Sequence, residues 1–200
     1  MRVRAVRIPL AARETPWLWA WAGAIAGLVL ALILFAPARW LAAGVQRATG
    51  GQVVLADARG TLWSGSAQLR LTGGAGSTDA ATLPGRLDWS LRPRWNGVLA
   101  QLRPECCAET AIPVRAGWRW GGMRLQVGDG TSHWPAGLLA GLGTPWNTLQ
   151  LDGELHLSTR GLSVEWVAGR LAIAGRAELV ASRVASRLST LRPMGSYRIT

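Results

Sequence analysis

Residues 149–173 read LQLDGELHLSTRGLSVEWVAGRLAI. Leu149 and Leu151, then Leu155 and Leu157, alternate with Gln150, Asp152, Glu154 and His156. Leu162, Val164 and Trp166 flank Ser163 and Glu165, and Leu171 and Ile173 follow Gly169. A period of two, apolar in one phase and polar in the other, is the pattern of an antiparallel strand with one buried and one solvated face. The same period runs upstream through Val53 and Leu55, Leu69 and Leu71, Leu87, Trp89 and Leu91, Trp118 and Trp120, and Leu125 and Val127. Gly, Pro, Asp-Gly and Thr-Gly-Gly clusters punctuate it. The chain is therefore mainly β. About eight or nine strands are expected in an antiparallel meander, forming a curved sheet or an open barrel-like sandwich with one or two short helices. Gly-x-Leu-x-apolar recurs at Gly85, Gly153 and Gly169, and more weakly at Gly60. Any meander with Gly at its turns and Leu on one face produces such a repeat. Pro135 to Leu142 breaks the period and reads as a short helix. Val180 to Leu191 fits helix and strand equally.

Ahead of the strands, residues 17–36 read WLWAWAGAIAGLVLALILFA, with no charge and with Pro37 following. About 20 apolar residues at about 1.5 Å rise cross a hydrocarbon core of about 30 Å. Trp17, Trp19 and Trp21 stand at one end, where indoles favour the headgroup level. Leu28, Leu32 and Phe35 fill the apolar remainder. Arg2, Arg4, Arg7 and Arg13, against Glu14 alone, put the N-terminus in the cytoplasm by the positive-inside rule. Ala36-Pro37-Ala38 resembles a small-residue cleavage site. The apolar run nonetheless exceeds the roughly 7–15 residues of a signal core, and the reading is an uncleaved anchor. The expected organisation is a basic tail over 1–16, a transmembrane helix over 17–36, an amphipathic connector helix over 37–51 and an extracytoplasmic β domain over 52–200. In the connector, Trp40, Leu41, Val45 and Ala48 fall at helical spacing, and Gly50-Gly51 ends it.

All 22 basic residues are Arg, and the formal net charge is +11. Beyond the N-terminal cluster the Arg residues are dispersed among acids and apolar residues. That distribution excludes a nucleic-acid binder, which needs a clustered basic patch. Chemistry is equally sparse. His133, in an expected loop, and His156, on a polar strand face, lack ligand spacing. There is no G-x-S-x-G, no P-loop and no dinucleotide fingerprint. Asp152 and Glu154 share an exposed strand face, which suits solvation better than acid–base work. No catalytic residue, metal or cofactor is expected.

Cys106 and Cys107 are adjacent in a Pro-flanked loop. Consecutive Cα atoms stand about 3.8 Å apart, closer than in an ordinary disulfide. A vicinal disulfide, intermolecular bonds and free thiols all remain open. Most Trp residues fall in the apolar strand phase and read as core. Trp95 and Trp134 lie in loops and are the better candidates for partner contact.

Four blocks occur in order behind the apolar helix: RGTLWSGSA at 59–67, LPGRLDWSLRP at 83–93, PAGLLAGLGTPWNTLQLDGELHL at 135–157 and SRVASRLSTLRPMGSYR at 182–198. Together they resemble the general secretion pathway protein N family of the type II secretion system. The resemblance implies a non-enzymatic, single-pass subunit of the Gram-negative inner membrane with a periplasmic domain. Its implied partners are the inner-membrane platform, the outer-membrane secretin or both, and its implied task is protein secretion. Relatives are expected to continue with further strands past the G-S-Y-R block, so an edge near Arg198 and Ile199 could accept a partner strand. The rival reading is a membrane-anchored lipid-binding or lipid-transfer module, because Gly-x-Leu strands can build an apolar groove.

Overall fold

The computed structural model describes residues 17–74, 77, 79–119, 121–188 and 195–199. The expected tail over 1–16, Trp120 and the last part of the Val180–Leu191 stretch lie outside them. The chain forms two units, Met1–Phe35 and Ala36–Thr200.

In the first unit, α1 runs Trp17–Leu34, with mean hydropathy 2.1 and no buried residue. The helix stops two residues short of the expected span, for a local reason. Proline disfavours the helical region for the residue before it. Ala36 already belongs to the second unit, where it is buried and its carbonyl accepts the Leu62 N–H at 2.7 Å. Pro37 bridges Thr61.

The second unit opens with α2, Ala38–Ala48. Thr49 closes it: its Oγ1 donates to the Val45 carbonyl at 2.9 Å and accepts the Val53 N–H at 3.1 Å. Gly50 and Gly51 follow at φ 60 and 83, the left-handed region that favours glycine. Ala38 and Leu41 pack on the sheet, whereas Trp40, expected in the same stripe, is turned outward.

Among the described residues eleven strands follow: β1 Val53–Gly60, β2 Ser64–Thr72, β3 Ala80–Thr82, β4 Leu87–Arg94, β5 Gly97–Pro104, β6 Ile112–Arg119, β7 Gly122–Val127, β8 Gly130–Pro135, β9 Leu151–Val167, β10 Arg170–Ser186 and β11 Gly195–Ile199. A 3-10 helix, Ala136–Leu142, and a single turn, α3 Trp146–Leu149, separate β8 from β9. All pairings are antiparallel, in one unclosed sheet of order β1-β2-β4-β5-β6-β7-β9-β10-β11. β3 shares one edge of β2 with β4, and β8 shares one edge of β9 with β7.

Mainly β with an open antiparallel sheet is therefore as read from the sequence. The strand number and the plain meander are not. β3 has three residues, too few to display a period, and Gly130-Thr-Ser-His-Trp-Pro alternates in no clear phase. His133 and Trp134 accordingly lie on a strand instead of in a loop. The ambiguous stretch is strand up to Ser186.

The Gly-x-Leu repeat has a backbone cause. Gly60, Gly85, Gly153 and Gly169 all have positive φ, at 90, 78, 132 and 76. The turn joining β9 and β10 places Ala168 and Gly169 both at positive φ, the geometry of a type I′ hairpin turn. Ala168, at φ 49, pays a steric cost that Asn largely avoids. Ala168→Asn is expected to stabilise the domain by roughly 1 kcal/mol, read as a raised midpoint in denaturant titration.

Two apolar clusters lie on one face of the sheet. Ala38, Ala67 and Trp89, with Leu41, Leu55, Leu91 and Leu102, sit beneath α2. Leu83, Cys107 and Leu138, with Leu69, Leu71, Ala81 and Trp134, sit beneath the 3-10 helix.

Candidate functional site

The R-G-T-L-W-S-G block forms a corner where the chain enters the β unit. Thr61 Oγ1 accepts the Ser64 N–H at 3.1 Å, and the Trp63 carbonyl accepts the Leu91 N–H at 2.6 Å. The Leu62 carbonyl takes the Trp89 indole N–H at 3.1 Å. Gly65 leaves room for that ring, since an added Cβ would lie 2.6 Å from Trp89 Cζ2 and 2.4 Å from the Arg59 carbonyl. These residues position backbone and offer no reactive group.

The 3-10 helix packs against β2, β3 and β9 and plugs the sheet there. Gly141 lies so close to the sheet that a Cβ would come within 2.6 Å of the Leu71 carbonyl. The L-G-T-P-W-N block secures the plug. Asn147 Nδ2 donates to Asp79 Oδ2 at 2.7 Å, and Ser186 Oγ donates to the Leu149 carbonyl at 2.6 Å. Cys106 and Cys107 form a vicinal disulfide with Cα atoms 3.7 Å apart. The Cys107 carbonyl accepts the His133 N–H at 2.7 Å, tying that loop to β8.

On the polar face, the His133 and His156 rings meet edge to face at 4.6 Å. His156 Nε2 lies 3.2 Å from Ser182 Oγ and 3.7 Å from Glu154 Oε2. A serine triad needs hydroxyl and carboxylate on opposite ring nitrogens; here both approach Nε2. Glu154 is also paired with Arg183. No group of three metal-ligating side chains occurs among the described residues.

Arg86 joins three segments. Its Nη1 lies 3.0 Å from Asp57 Oδ2, its Nη2 donates to the Asp57 carbonyl at 2.8 Å, and its Nε donates to Ser66 Oγ at 3.0 Å. Hydrogen bonds from Arg86, then Arg59, hold the Asp57 carboxyl below its ordinary 3.8. A lowered pKa gives stability that is present above the ordinary value and lost as pH falls through the lowered one. Asp57 has φ 49, which Asn tolerates, so Asp57→Asn probes the charge alone. The variant is expected to melt slightly below the parent at neutral pH, and the difference should vanish in strong acid.

Of the residues expected at partner contacts, Trp95 stands fully exposed in the β4–β5 turn. Trp134 is half-buried against the second cluster, and its indole donates to Ser132 Oγ at 2.8 Å. Arg198 lies on β11 and pairs with Glu178 at 3.0 Å. Among the described residues, β11 is hydrogen-bonded to β10 alone. Beside it, Leu155, Leu179, Tyr197 and Ile199 line an apolar groove of about 480 Å³.

Sequence phase also misjudged two indoles. Directly paired residues in an antiparallel sheet share a face. By register, Trp118, Met123, Trp166 and Leu171 form one cross-strand row on the same face as Trp89. Neither α2 nor the 3-10 helix covers that row, so Trp118 is 68% and Trp166 57% exposed. Alternation identifies a face but not what lies over it.

Compared with models of known families, residues 51–200 match that of the type II secretion system (T2SS), protein N. No curated protein and no solved structure matches the chain.

Proposed function

Because the chain belongs to the type II secretion system protein N family, we propose that it is a single-pass accessory subunit of the inner membrane, with its N-terminus cytoplasmic and its β domain periplasmic. The β domain contacts the inner-membrane platform or the outer-membrane secretin while proteins are exported. The observation that carries this reading is a family match spanning the β domain behind one uncharged 18-residue helix. The role is positional: α1 anchors, and the sheet presents an edge. The β11 edge is the contact of choice, since Tyr197 and Ile199 expose apolar side chains in alternation with Arg198. Such an edge can take a partner strand through main-chain hydrogen bonds.

The test is a photo-crosslinking residue at Tyr197 in the full-length protein in cells, followed by mass spectrometry of proteins and lipids. Capture of secretin or platform subunits is the expected result. The apolar groove beside β11 favours a second reading, a lipid-binding or lipid-transfer module. Stoichiometric lipid without secretion subunits would establish that reading and overturn the first.

A further inference from the structure

We propose that the end of the sheet formed by the β4–β5, β6–β7 and β9–β10 turns binds anionic lipid headgroups. The inference depends on reading α1 as a membrane span. The pairing Arg94–Gly97, Gly97–Gly117, Arg119–Gly122, Gly122–Val167 and Val167–Arg170 brings the three turns level. Each turn carries or adjoins an exposed indole: Trp95, Trp118 and Trp166. Met123 and Leu171 complete an apolar row at the same level. Arg94 and Arg170 flank the turns, as the last residue of β4 and the first of β10, with no carboxylate partner among the described residues, and Glu165, on β9 ahead of the β9–β10 turn, is paired with Arg124. Indoles favour the headgroup level, and Arg is drawn to anionic lipid. A water-facing turn gains nothing from this combination.

The topology puts the start of this unit at the same end. Ser64, the first residue of β2, pairs with Ser90, and β4 runs from Ser90 toward Arg94. The β1–β2 corner therefore points to the same end as the three turns. That corner holds Ala36 through the Leu62 N–H, and Ala36 is one peptide bond from Phe35 at the close of the apolar helix. The end at which the chain enters the sheet is thus the end that bears Trp and Arg.

The test uses the full-length protein in nanodiscs of phosphatidylethanolamine and phosphatidylglycerol, the latter brominated near the headgroup. Subtracting the emission of Trp95→Phe/Trp118→Phe/Trp166→Phe from that of the parent isolates the three turn indoles. Their emission is expected to be blue-shifted and mostly quenched. Arg94→Glu/Arg170→Glu is expected to restore it. Emission left intact by brominated lipid, or quenching that survives the charge reversal, would overturn the proposal. Trp17, Trp19 and Trp21 remain in the triple variant. Six other Trp remain with them, so the emission of Trp17→Phe/Trp19→Phe/Trp21→Phe is subtracted from the parent in the same way; the quenching of these helix indoles reports whether α1 is in the bilayer, so failure of the anchor and failure of the turns read differently.

Discussion

Truncating Trp89 to alanine is expected to cost about 3–5 kcal/mol of stability, the range for emptying a large aromatic site in a core. The ring is 5% exposed and lies between Ala38 of α2, Ala67 of β2 and the Gly65 backbone. Its indole N–H also satisfies the Leu62 carbonyl. Trp89→Ala removes the packing and the hydrogen bond together. Trp89→Phe keeps most of the packing and leaves the carbonyl unpaired, so it should cost less, with about 1–3 kcal/mol from the orphaned acceptor. Denaturant titration of the full-length protein in detergent, followed by far-ultraviolet circular dichroism, measures both. A loss below about 1 kcal/mol for Trp89→Ala, at the level of an ordinary surface change, would mean that the corner does not secure α2 to the sheet.

Leu138→Ala is expected to cost about 2–5 kcal/mol by opening a cavity under the 3-10 helix. Leu138 is 7% exposed and touches the cluster made by Leu83 and Cys107. The loss should be local. β3 has three residues and β8 six, and each depends on the plug more than the longer strands do. Hydrogen exchange should accelerate in β3, β8 and the 105–111 loop while β4–β7 keep their protection. Uniform acceleration over the whole sheet would instead show that the domain opens as one unit.

The fold class was legible because alternation is an energetic requirement wherever one face is buried. Leu87, Trp89 and Leu91 satisfy it openly. β3 and β8 were illegible for complementary reasons: one is too short to repeat, and the other owes its place to partners, including the Cys107 carbonyl, that no local pattern encodes. The apolar helix was legible by length and charge alone, but its last residues were not. Ala36 is as apolar as its predecessors, and its capture by Leu62 is a long-range contact. For the candidate surfaces, the sequence located Trp95 in a turn correctly. It assigned Trp118 and Trp166 to the core, because the strand phase carries no record of where the covering helices stop.

The two longest strands have a mechanical consequence. β9 and β10 hold 17 residues each, about 55 Å at about 3.3 Å per residue. A load along that axis puts the whole ladder in shear, so many hydrogen bonds must fail together; a load across it opens them one at a time. The ladder is interrupted twice, at Gly161 opposite Gly175 and at Gly153 opposite Arg183. Bulges are where a β ribbon bends. The hairpin is therefore a jointed strut, stiff in tension along its length and compliant at two fixed points, and it transmits a pull better than a twist.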